Sequence, residues 1–357
     1  MKKLIIALAA SAALLGGLVS GAQAQDKTKI CFIYVGSQTD GGWTQAHDIG
    51  RQQLQEHFGD KIETPFLENV PEGPDAERAI ERMARSGCAM VFTTSFGFMD
   101  ATMKVAAKFP DVKFEHATGF KSADNVATYN ARFYEGRFIQ GQIAAKMSEK
   151  GVAGYIASFP IPEVVMGINA FILGAQSINP DFKLKVVWAN TWFDPGKEAD
   201  AAKALIDQGV DILTQHTDTT APMQVAAERG IYAFGQASDM IAAGPKTQLT
   251  AIVDTWGNYY IKRTQALLDG NWKTAQIWDG LKDGILTMAP YTNMPDDVKA
   301  MAEETEAKIK SGELHPFTGP VKKQDGSDWL AEGENPEDSV LLGMNFYVEG
   351  VDDKLPQ

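Results

Sequence analysis

The sequence predicts an exported α/β protein with two similar lobes, each built around a parallel sheet. Three observations lead to this prediction: an apolar N-terminal leader, an alternation of strand-like and helix-like segments, and a partial repeat of that alternation. The 357 residues are enough for two domains that each bury a core. The 33 basic and 46 acidic side chains give a net charge of −13, which argues against nucleic acid or anionic lipid as a partner.

The first 24 residues have the pattern of a cleaved signal peptide. Lys2 and Lys3 form a basic start, residues 4–19 are apolar, and Ala22-Gln23-Ala24 is a small-x-small cleavage site. A membrane anchor is the alternative, because the apolar stretch is about as long as a short span. Its position at the extreme N-terminus favours cleavage near Ala24 and a periplasmic product.

The next hundred or so residues alternate between strand-like and helix-like segments. The run from Ile30 to Val35 is continuously apolar, which is typical of a strand buried on both faces. In chain order the predicted elements are strand 30–35, helix 44–57, helix 75–85, strand 88–94, helix 101–108 and strand 112–117. Repeated strand–helix units imply right-handed crossovers and a parallel sheet.

Part of this pattern occurs again further along the chain. The segment that begins at Gly87 resembles the one that begins at Gly209, and Met103–Ala107 resembles Met223–Ala227, in the same order and at nearly the same offset. We therefore expect a second lobe of similar fold. Ligands of parallel sheets bind beyond the carboxyl ends of the strands, so two facing lobes would enclose a cleft.

The segments after the predicted strands are rich in aromatic rings and carboxylates. They are 40–45, 95–100, 190–194, 215–218 and 236–239. Aromatic rings offer flat apolar faces, and Asp accepts hydrogen bonds from N–H donors, so a planar, nitrogen-rich ligand would suit both. The candidate ligand-binding residues are Trp43, Phe98, Asp100, Trp192, Asp218 and Asp239.

Structural roles are the alternative for several of these residues. Asp40, Asp100 and Asp239 could each cap a helix, which is the commonest role of Asp after a strand. Trp43 and Trp192 could pack in the core between lobe and loop. Of the five histidines, only His216 beside Asp218 is placed near the cleft.

No motif of a known catalytic or metal site is present. The sequence lacks a Gly-x-Ser-x-Gly elbow, a phosphate loop, a Gly-x-Gly-x-x-Gly turn and a His-Glu-x-x-His helix, and no metal or cofactor is expected. The two cysteines, Cys31 and Cys88, have no partners at zinc spacing. A disulfide is one reading for an exported protein; two buried thiols are the other, because bridges between neighbouring parallel strands are often strained.

From Lys29 to about Gly312 the chain resembles the basic membrane protein family of ABC-importer substrate-binding proteins, which is related to a nucleoside receptor of spirochaetes. The most specific stretch is Asp40-Gly41-Gly42-Trp43-Thr44-Gln45, where many members have Asp-x-Ser-Phe-Asn-Gln. The other matching stretches are 134–141, 154–175 and 209–212.

The resemblance implies a type I periplasmic-binding-protein fold, with two three-layer α/β lobes joined by three strands. These crossings are expected near 127–131, 250–255 and 285–289. The first lobe would comprise 28–130 plus 256–286. The second would comprise 131–252 plus 288–357, including a polar C-terminal tail.

The resemblance also implies roles for individual residues. Trp43 and Trp192 would hold a purine between their rings, Asp100 matches the family's base-binding Asp, and Asp239 matches an Asp that contacts the sugar in nucleoside binders. Asp254 stands where relatives carry a sugar-contacting Lys, which is a departure from the pattern. Gly36-Ser37-Gln38 likewise replaces acidic or amide groups of the nucleoside binders.

We therefore expect an extracytoplasmic receptor, a monomer, that captures a purine by hinge closure and delivers it to an ABC permease. One alternative is a receptor for an organic cation caged by Trp43, Trp192 and Phe98. A second is an exported hydrolase that uses Asp100 and Asp239.

A free nucleobase such as adenine is expected to bind in preference to its nucleoside. Ribose hydroxyl groups need partners once the cleft closes, and Asp254 cannot donate a hydrogen bond where relatives have Lys. The bulk of Trp43 and Trp256 also reduces the room for a sugar. In the alternative reading, Asp254 accepts from the ribose in a roomy pocket.

Overall fold

The computed structural model describes residues 27–356, so the predicted signal peptide lies outside the described residues. The first part of the described chain contains six strands and three helices. They are β1 (Thr28–Ile33), α1 (Trp43–Phe58), β2 (Ile62–Glu63), β3 (Phe66–Leu67), α2 (Pro74–Arg85), β4 (Cys88–Thr93), α3 (Met99–Ala106), β5 (Lys113–Ala117) and β6 (Val126–Ala131).

The middle part of the chain repeats the alternation of helices and strands. Its elements are α4 (Phe133–Met147), β7 (Val152–Ala157), α5 (Pro162–Gln176), β8 (Lys183–Trp188), α6 (Pro195–Asp207), β9 (Ile212–His216), α7 (Ala221–Arg229), β10 (Tyr232–Gly235) and β11 (Gln248–Asp254).

The last part of the chain contributes to both lobes and then forms the tail. Its elements are α8 (Gly257–Leu268), β12 (Gln276–Asp279), β13 (Leu286–Met288), α9 (Asp296–Ser311), β14 (Val321–Lys322), β15 (Asp328–Leu330) and α10 (Asp338–Leu341). Helix α8 packs against α1 of the first lobe, and α9 packs against α4 of the second.

Two sheets form the centres of the two lobes. The first has the order β12-β6-β5-β4-β1-β2, with β3 also paired to β1, and every pair is parallel. The second has the order β13-β11-β10-β9-β7-β8 and is parallel except for β13, which runs antiparallel to β11. The chain passes between the sheets three times, after β6, after β11 and after β12. This confirms the predicted two-lobed fold.

Helices cover both faces of each sheet because the buried strands are apolar on both faces. In β1, Phe32 faces the layer of α1 and α8, whereas Ile33 faces the layer of α2 and α3. In β7, Tyr155 packs toward α4 and α5, and Ile156 packs toward α6 and α7. The repeat seen in the sequence corresponds to β4 and β9, which hold the same position in the two sheets.

A disulfide joins Cys31 on β1 to Cys88 on β4. The two strands are neighbours, but their register pairs Cys31 with Val91 and Cys88 with Lys29, so the cysteines are diagonal rather than directly opposite. Their Cα atoms are 5.9 Å apart, which is an ordinary separation for a bridge. Of the two readings of the sequence, the structure therefore has the disulfide and not two thiols.

The C-terminal tail packs on the second lobe. The side chain of Asn169 on α5 donates to the carbonyl of Phe346 (2.8 Å) and accepts from the N–H of Val348 (3.1 Å). The tail also reaches the junction of the lobes, where Asp338 forms two hydrogen bonds to Arg132, the residue between β6 and α4. Within residues 27–356 no helix is both long and apolar enough to cross a membrane.

Candidate functional site

A cavity lies between the two lobes, at the carboxyl ends of the parallel strands, with about 360 Å³ of empty space including its opening. From the first lobe it is lined by Val35, Trp43, Ser95, Phe96 and Thr118. From the second lobe it is lined by Glu163, Trp192, His216, Asp218 and Gln236. This is where ligands of parallel sheets are expected to bind.

Trp43 forms one wall of the cavity and is fixed on several sides. Its indole N–H donates to the carbonyl of Thr94 at 2.7 Å. Its ring meets His47 edge-on at 4.4 Å and Trp256 at 5.5 Å between centroids. Just before it, the carboxylate of Asp40 accepts three backbone N–H groups at the start of α1, which is a helix-capping role. The ring therefore has a defined orientation before any ligand arrives.

Trp192 forms a second aromatic surface from the other lobe. Its ring contacts Phe159 at 5.1 Å, and its backbone carbonyl accepts from the N–H of Asp218. Its indole N–H reaches across to Glu72 of the first lobe at 3.3 Å, and Glu72 also accepts from the hydroxyl of Ser95. Trp192 thus belongs to the second lobe but depends on the first for its polar contact.

The titratable groups that line the cavity come from the second lobe. Glu163 Oε1 lies 3.4 Å from His216 Nε2, and the side chain of Glu163 is only 11% exposed. Its other oxygen, Oε2, is buried and has no hydrogen-bond partner among the described residues. Burial lowers the pKa of His216, with Glu163 opposing this effect, so the neutral ring is favoured.

Asp218 is surrounded by other carboxyl groups. Burial raises its pKa well above the usual range, and Asp40, Glu198 and Asp254 raise it further. The protonated form is therefore favoured, and it can donate as well as accept a hydrogen bond. The same cavity thus presents two carboxyl groups in different environments.

Arg137, fully buried on α4, supports the polar side of the cavity from behind. It donates to the carbonyl of Gln215 at 2.6 Å, to the hydroxyl of Thr214 at 3.0 Å and to the amide oxygen of Gln236. Because the oxygen of Gln236 is occupied by Arg137, its NH₂ group is the end left for a ligand. The positive charge of Arg137 adds to the effect of burial in lowering the pKa of His216.

Close contacts between the lobes separate this cavity from a second one. A Cβ atom on Gly42 would lie 2.4 Å from the carbonyl oxygen of Asp218, so this close approach requires glycine. Ser238 donates to the carbonyl of Gly41 across the same seam. The second cavity is broader, about 1320 Å³ including open solvent, and its lining includes Gly41, Ser238, Asp239, Asp254 and Trp256.

Of the six candidate residues, the structure brings Trp43, Trp192 and Asp218 together at the first cavity. Phe98 is fully buried in the core between the first sheet and helices α2 and α3. The side chain of Asp100 is 70% exposed in the first turn of α3 and pairs with Lys121 at 2.6 Å. That ion pair lowers the pKa of Asp100.

Asp239 lies at the second cavity. It accepts from the side chain of Gln248 at 2.7 Å and from the N–H of Ile241 at 3.1 Å, as a capping residue would. Trp256, which the sequence argument placed near the sugar, is fully buried behind Trp43. Phe98, Asp100 and Asp239 are therefore not brought to the cavity that Trp43 and Trp192 share.

Two lining residues that were not among the candidates stand out. Phe96 is two residues before Phe98 in the same loop and is the ring that faces the cavity. Glu163 follows Pro162 in the first turn of α5, after strand β7. Its only signal in the sequence is a carboxylate at a helix start beyond a buried strand, which is also an ordinary place for Glu.

No three His, Cys, Asp or Glu residues of the described chain are grouped so that they could hold a metal ion. The cavity instead offers aromatic surfaces from both lobes and titratable groups from the second. Two α/β lobes with such a cavity between them define a substrate-binding protein with the type I periplasmic-binding-protein fold.

Comparisons with known proteins give the family. The chain belongs to the PnrA-like ABC transporter substrate-binding proteins, whose family profile matches residues 27–319. Proteins of this family are extracytoplasmic components of ABC transporters. The match covers both lobes and excludes most of the tail.

Two curated relatives are similar over most of their length. A purine-binding protein of Brucella abortus is 69% identical, covering 96% of this chain and 97% of that protein. A putative ABC transporter glucose-binding protein of Haloferax volcanii is 35% identical, covering 91% and 80%.

Solved structures share the fold at low sequence identity. A solute-binding protein of Aeropyrum pernix K1 matches with a TM-score of 0.70 and 18% identity, covering 87% of this chain and 95% of that chain. A transcriptional activator of the comK gene from Bacillus halodurans matches with a TM-score of 0.68 and 21% identity, covering 81% and 100%.

Proposed function

We propose that this protein captures a purine in the interlobe cavity and delivers it to a membrane permease. The observation that carries the proposal is the pairing of Trp43 and Trp192, one from each lobe, at the same cavity. Flat rings bind flat aromatic ligands by stacking. The name of the Brucella abortus relative, a purine-binding protein at 69% identity, supports the same ligand class.

Binding and closure are coupled in this proposal. A ligand that touches Trp43 and Trp192 at once stabilises the closed arrangement of the lobes, because it has more contacts there than in an open form. The seam between Gly42 and Asp218 and the contact from Trp192 to Glu72 belong to that closed form. The permease then distinguishes closed from open protein.

The expected affinity is micromolar or better. Two stacking contacts contribute about 0.5–1.5 kcal/mol each beyond their buried area. One or two charge-assisted hydrogen bonds add about 1.5–3 kcal/mol each. Together with the buried apolar area, these contributions are compatible with about −8 kcal/mol, the free energy of micromolar binding.

We propose further that a free base binds in preference to its nucleoside. Asp239 and Asp254, the residues that could meet a sugar by their position in the family pattern, line the second cavity. The seam at Gly41 and Gly42 stands between that cavity and the aromatic one. A ribose attached to a base in the first cavity would have to part this seam or leave its hydroxyl groups unpaired, at about 1–3 kcal/mol each.

The test is calorimetric titration of ligand-free protein with adenine, hypoxanthine and guanine beside their nucleosides. The bases should bind at least about tenfold more tightly, which corresponds to ~1.4 kcal/mol. Nucleosides that bind as tightly as bases would contradict the preference for a free base. Absence of binding by every purine would overturn the proposal as a whole. Mass spectrometry of any copurified ligand gives an independent answer.

An organic cation is a second candidate, because Glu163 lies beside the aromatic surfaces. Choline included in the same titrations separates the two candidates. A receptor binds the purine and releases it chemically unchanged. Turnover of a nucleoside by the purified protein would instead support an exported hydrolase. Of the residues considered for that chemistry, Asp100 pairs with Lys121 on the first lobe and Asp239 lines the second cavity.

A further inference from the structure

We infer that Glu163, held in place by His216, accepts the hydrogen bond from the five-membered-ring N–H of an unsubstituted purine and so rejects purines that are substituted there. This inference rests on the proposed function, because it specifies how the same cavity recognises its ligand. It concerns one acceptor, a carboxylate oxygen of Glu163, and one donor, the N–H of the purine ring. It does not depend on the size of a sugar or on its hydroxyl groups.

Most polar groups around the cavity are already committed. The indole N–H of Trp43 donates to Thr94, and that of Trp192 donates to Glu72. The amide oxygen of Gln236 accepts from Arg137. Each of these groups therefore has a partner before a ligand binds.

Glu163 is different, because one of its carboxylate oxygens is buried without a partner within residues 27–356. A carboxylate has only acceptors, and a buried one without a donor is costly. This oxygen is therefore left to accept from a donor on the ligand. Asp218 is favoured in its protonated form, because burial raises its pKa, and its hydroxyl can donate a hydrogen bond.

His216 is the positioning residue for Glu163. Its Nε2 lies 3.4 Å from Glu163 Oε1, while its Nδ1 is buried and unpaired among the described residues. The neutral ring carries one proton, and a proton on Nε2 faces the carboxylate. Phe133 packs edge-on against the imidazole at 6.0 Å between ring centroids, which restricts its rotation. One oxygen of Glu163 is thereby held toward His216 and the other is left for the ligand.

Purine chemistry matches this requirement. Every unsubstituted purine has one N–H in its five-membered ring, whatever group it carries at position 6. A nucleoside or a 9-methylpurine has lost that donor and would leave the carboxylate unpaired. A site built to hydrogen-bond such an N–H rejects the analogue without it much more strongly than a methyl group alone explains.

The decisive comparison is adenine against 9-methyladenine, because the methyl group removes the N–H without adding a sugar. Titrated into the wild-type protein, adenine should bind at least about tenfold more tightly. In Glu163→Leu the ratio of the affinities for adenine and 9-methyladenine should fall to less than about threefold, because the acceptor at residue 163 has been removed. Glu163→Gln keeps the shape and one weaker acceptor, so its ratio should lie between the two.

Three further variants complete the design. Glu303→Leu removes a carboxylate on α9 that is 56% exposed and pairs with Lys299, and it should leave the ratio unchanged. His216→Gln retains a donor toward Glu163 and should keep most of the discrimination, whereas His216→Phe should lose it. Far-UV circular dichroism shows whether each variant is folded. If Glu163→Leu does not fold, Glu163→Gln is used in its place to test the role of the carboxylate.

The outcomes separate this inference from the proposed function. If adenine binds but 9-methyladenine binds equally well, the inference is overturned and the purine receptor stands. If discrimination survives in Glu163→Leu, another group recognises the N–H and the inference is again overturned. If no purine binds at all, the proposed function fails and the inference fails with it.

Discussion

The two lobes line the same cavity with different chemistry. From the first lobe come Val35, Trp43, Ser95, Phe96 and Thr118, none of which is charged. From the second come Trp192, Gln236 and all three titratable groups, namely Glu163, His216 and Asp218. If the proposed function is right, the first lobe would supply a shaped, uncharged surface and the second lobe the titratable groups that select the ligand.

The two tryptophans show the same contrast in how they are supported. Trp43 packs against Trp256 and His47, which are themselves fully buried. Trp192 rests on Phe159 and is otherwise held by a hydrogen bond to the opposite lobe. Replacing the two rings should therefore have different consequences for folding and for binding.

The largest effect is expected from Trp43→Ala. Removing a ring that packs on buried aromatic neighbours should lower the free energy of unfolding by about 3 kcal/mol and also weaken purine binding. Urea denaturation followed by circular dichroism measures the first quantity, and calorimetry measures the second. A variant as stable as the wild-type protein would show that the ring is not part of the first lobe's core.

A smaller effect is expected at the junction of the lobes, where Glu135 on α4 accepts the N–H of Leu281 at 2.8 Å. Burial raises the pKa of Glu135 to about 7, with this hydrogen bond opposing the shift. Between its unfolded pKa, about 4.5, and 7, the folded protein holds more protons than the unfolded chain, so stability falls as pH rises through this window.

Glu135→Gln should remove this contribution. The difference in unfolding free energy between variant and wild type should change by about 2–3 kcal/mol from pH 4.5 to pH 8, in favour of the variant at high pH. Parallel urea denaturation of both proteins measures it, and the other buried carboxyl groups cancel in the difference. Parallel pH profiles would show that Glu135 titrates normally.

The smallest effect is expected from Trp192→Ala. It should weaken purine binding at least about tenfold, or ~1.4 kcal/mol. The free energy of unfolding should change by less than about 1 kcal/mol, because this ring is partly exposed and has little packing behind it. Unchanged affinity would assign Trp192 a structural role and remove the second aromatic surface from the proposed site.

The fold could be predicted from the sequence because the strands of both sheets are buried and therefore form continuous apolar runs. The run 30–35 is apolar throughout and overlaps β1, and the two segments that repeat became β4 and β9. The disulfide was not accessible in the same way. It depends on the register of β1 against β4, which places Cys31 and Cys88 diagonally across the two strands. The register between two strands that are distant in the sequence cannot be predicted from either segment alone.

The cavity was accessible only in part. Trp43, Trp192 and Asp218 follow strands and do reach it, but the loop after β4 shows the limit of such reasoning. A single 3₁₀ turn at Phe96–Phe98 directs Phe96 to the cavity and Phe98 to the core, and the sequence presents two similar rings. Glu163 was missed because a glutamate in the first turn of a helix is explained well enough by the helix dipole.

The disulfide between Cys31 and Cys88 closes a loop of 57 residues within the first lobe. These are the two cysteines of the sequence, so the second lobe has none. A loop of that length contributes about 4 kcal/mol in the chain-entropy account. Such bonds form outside the reducing cytoplasm. In a protein of an extracytoplasmic family, the first lobe would therefore gain part of its stability only outside the cytoplasm.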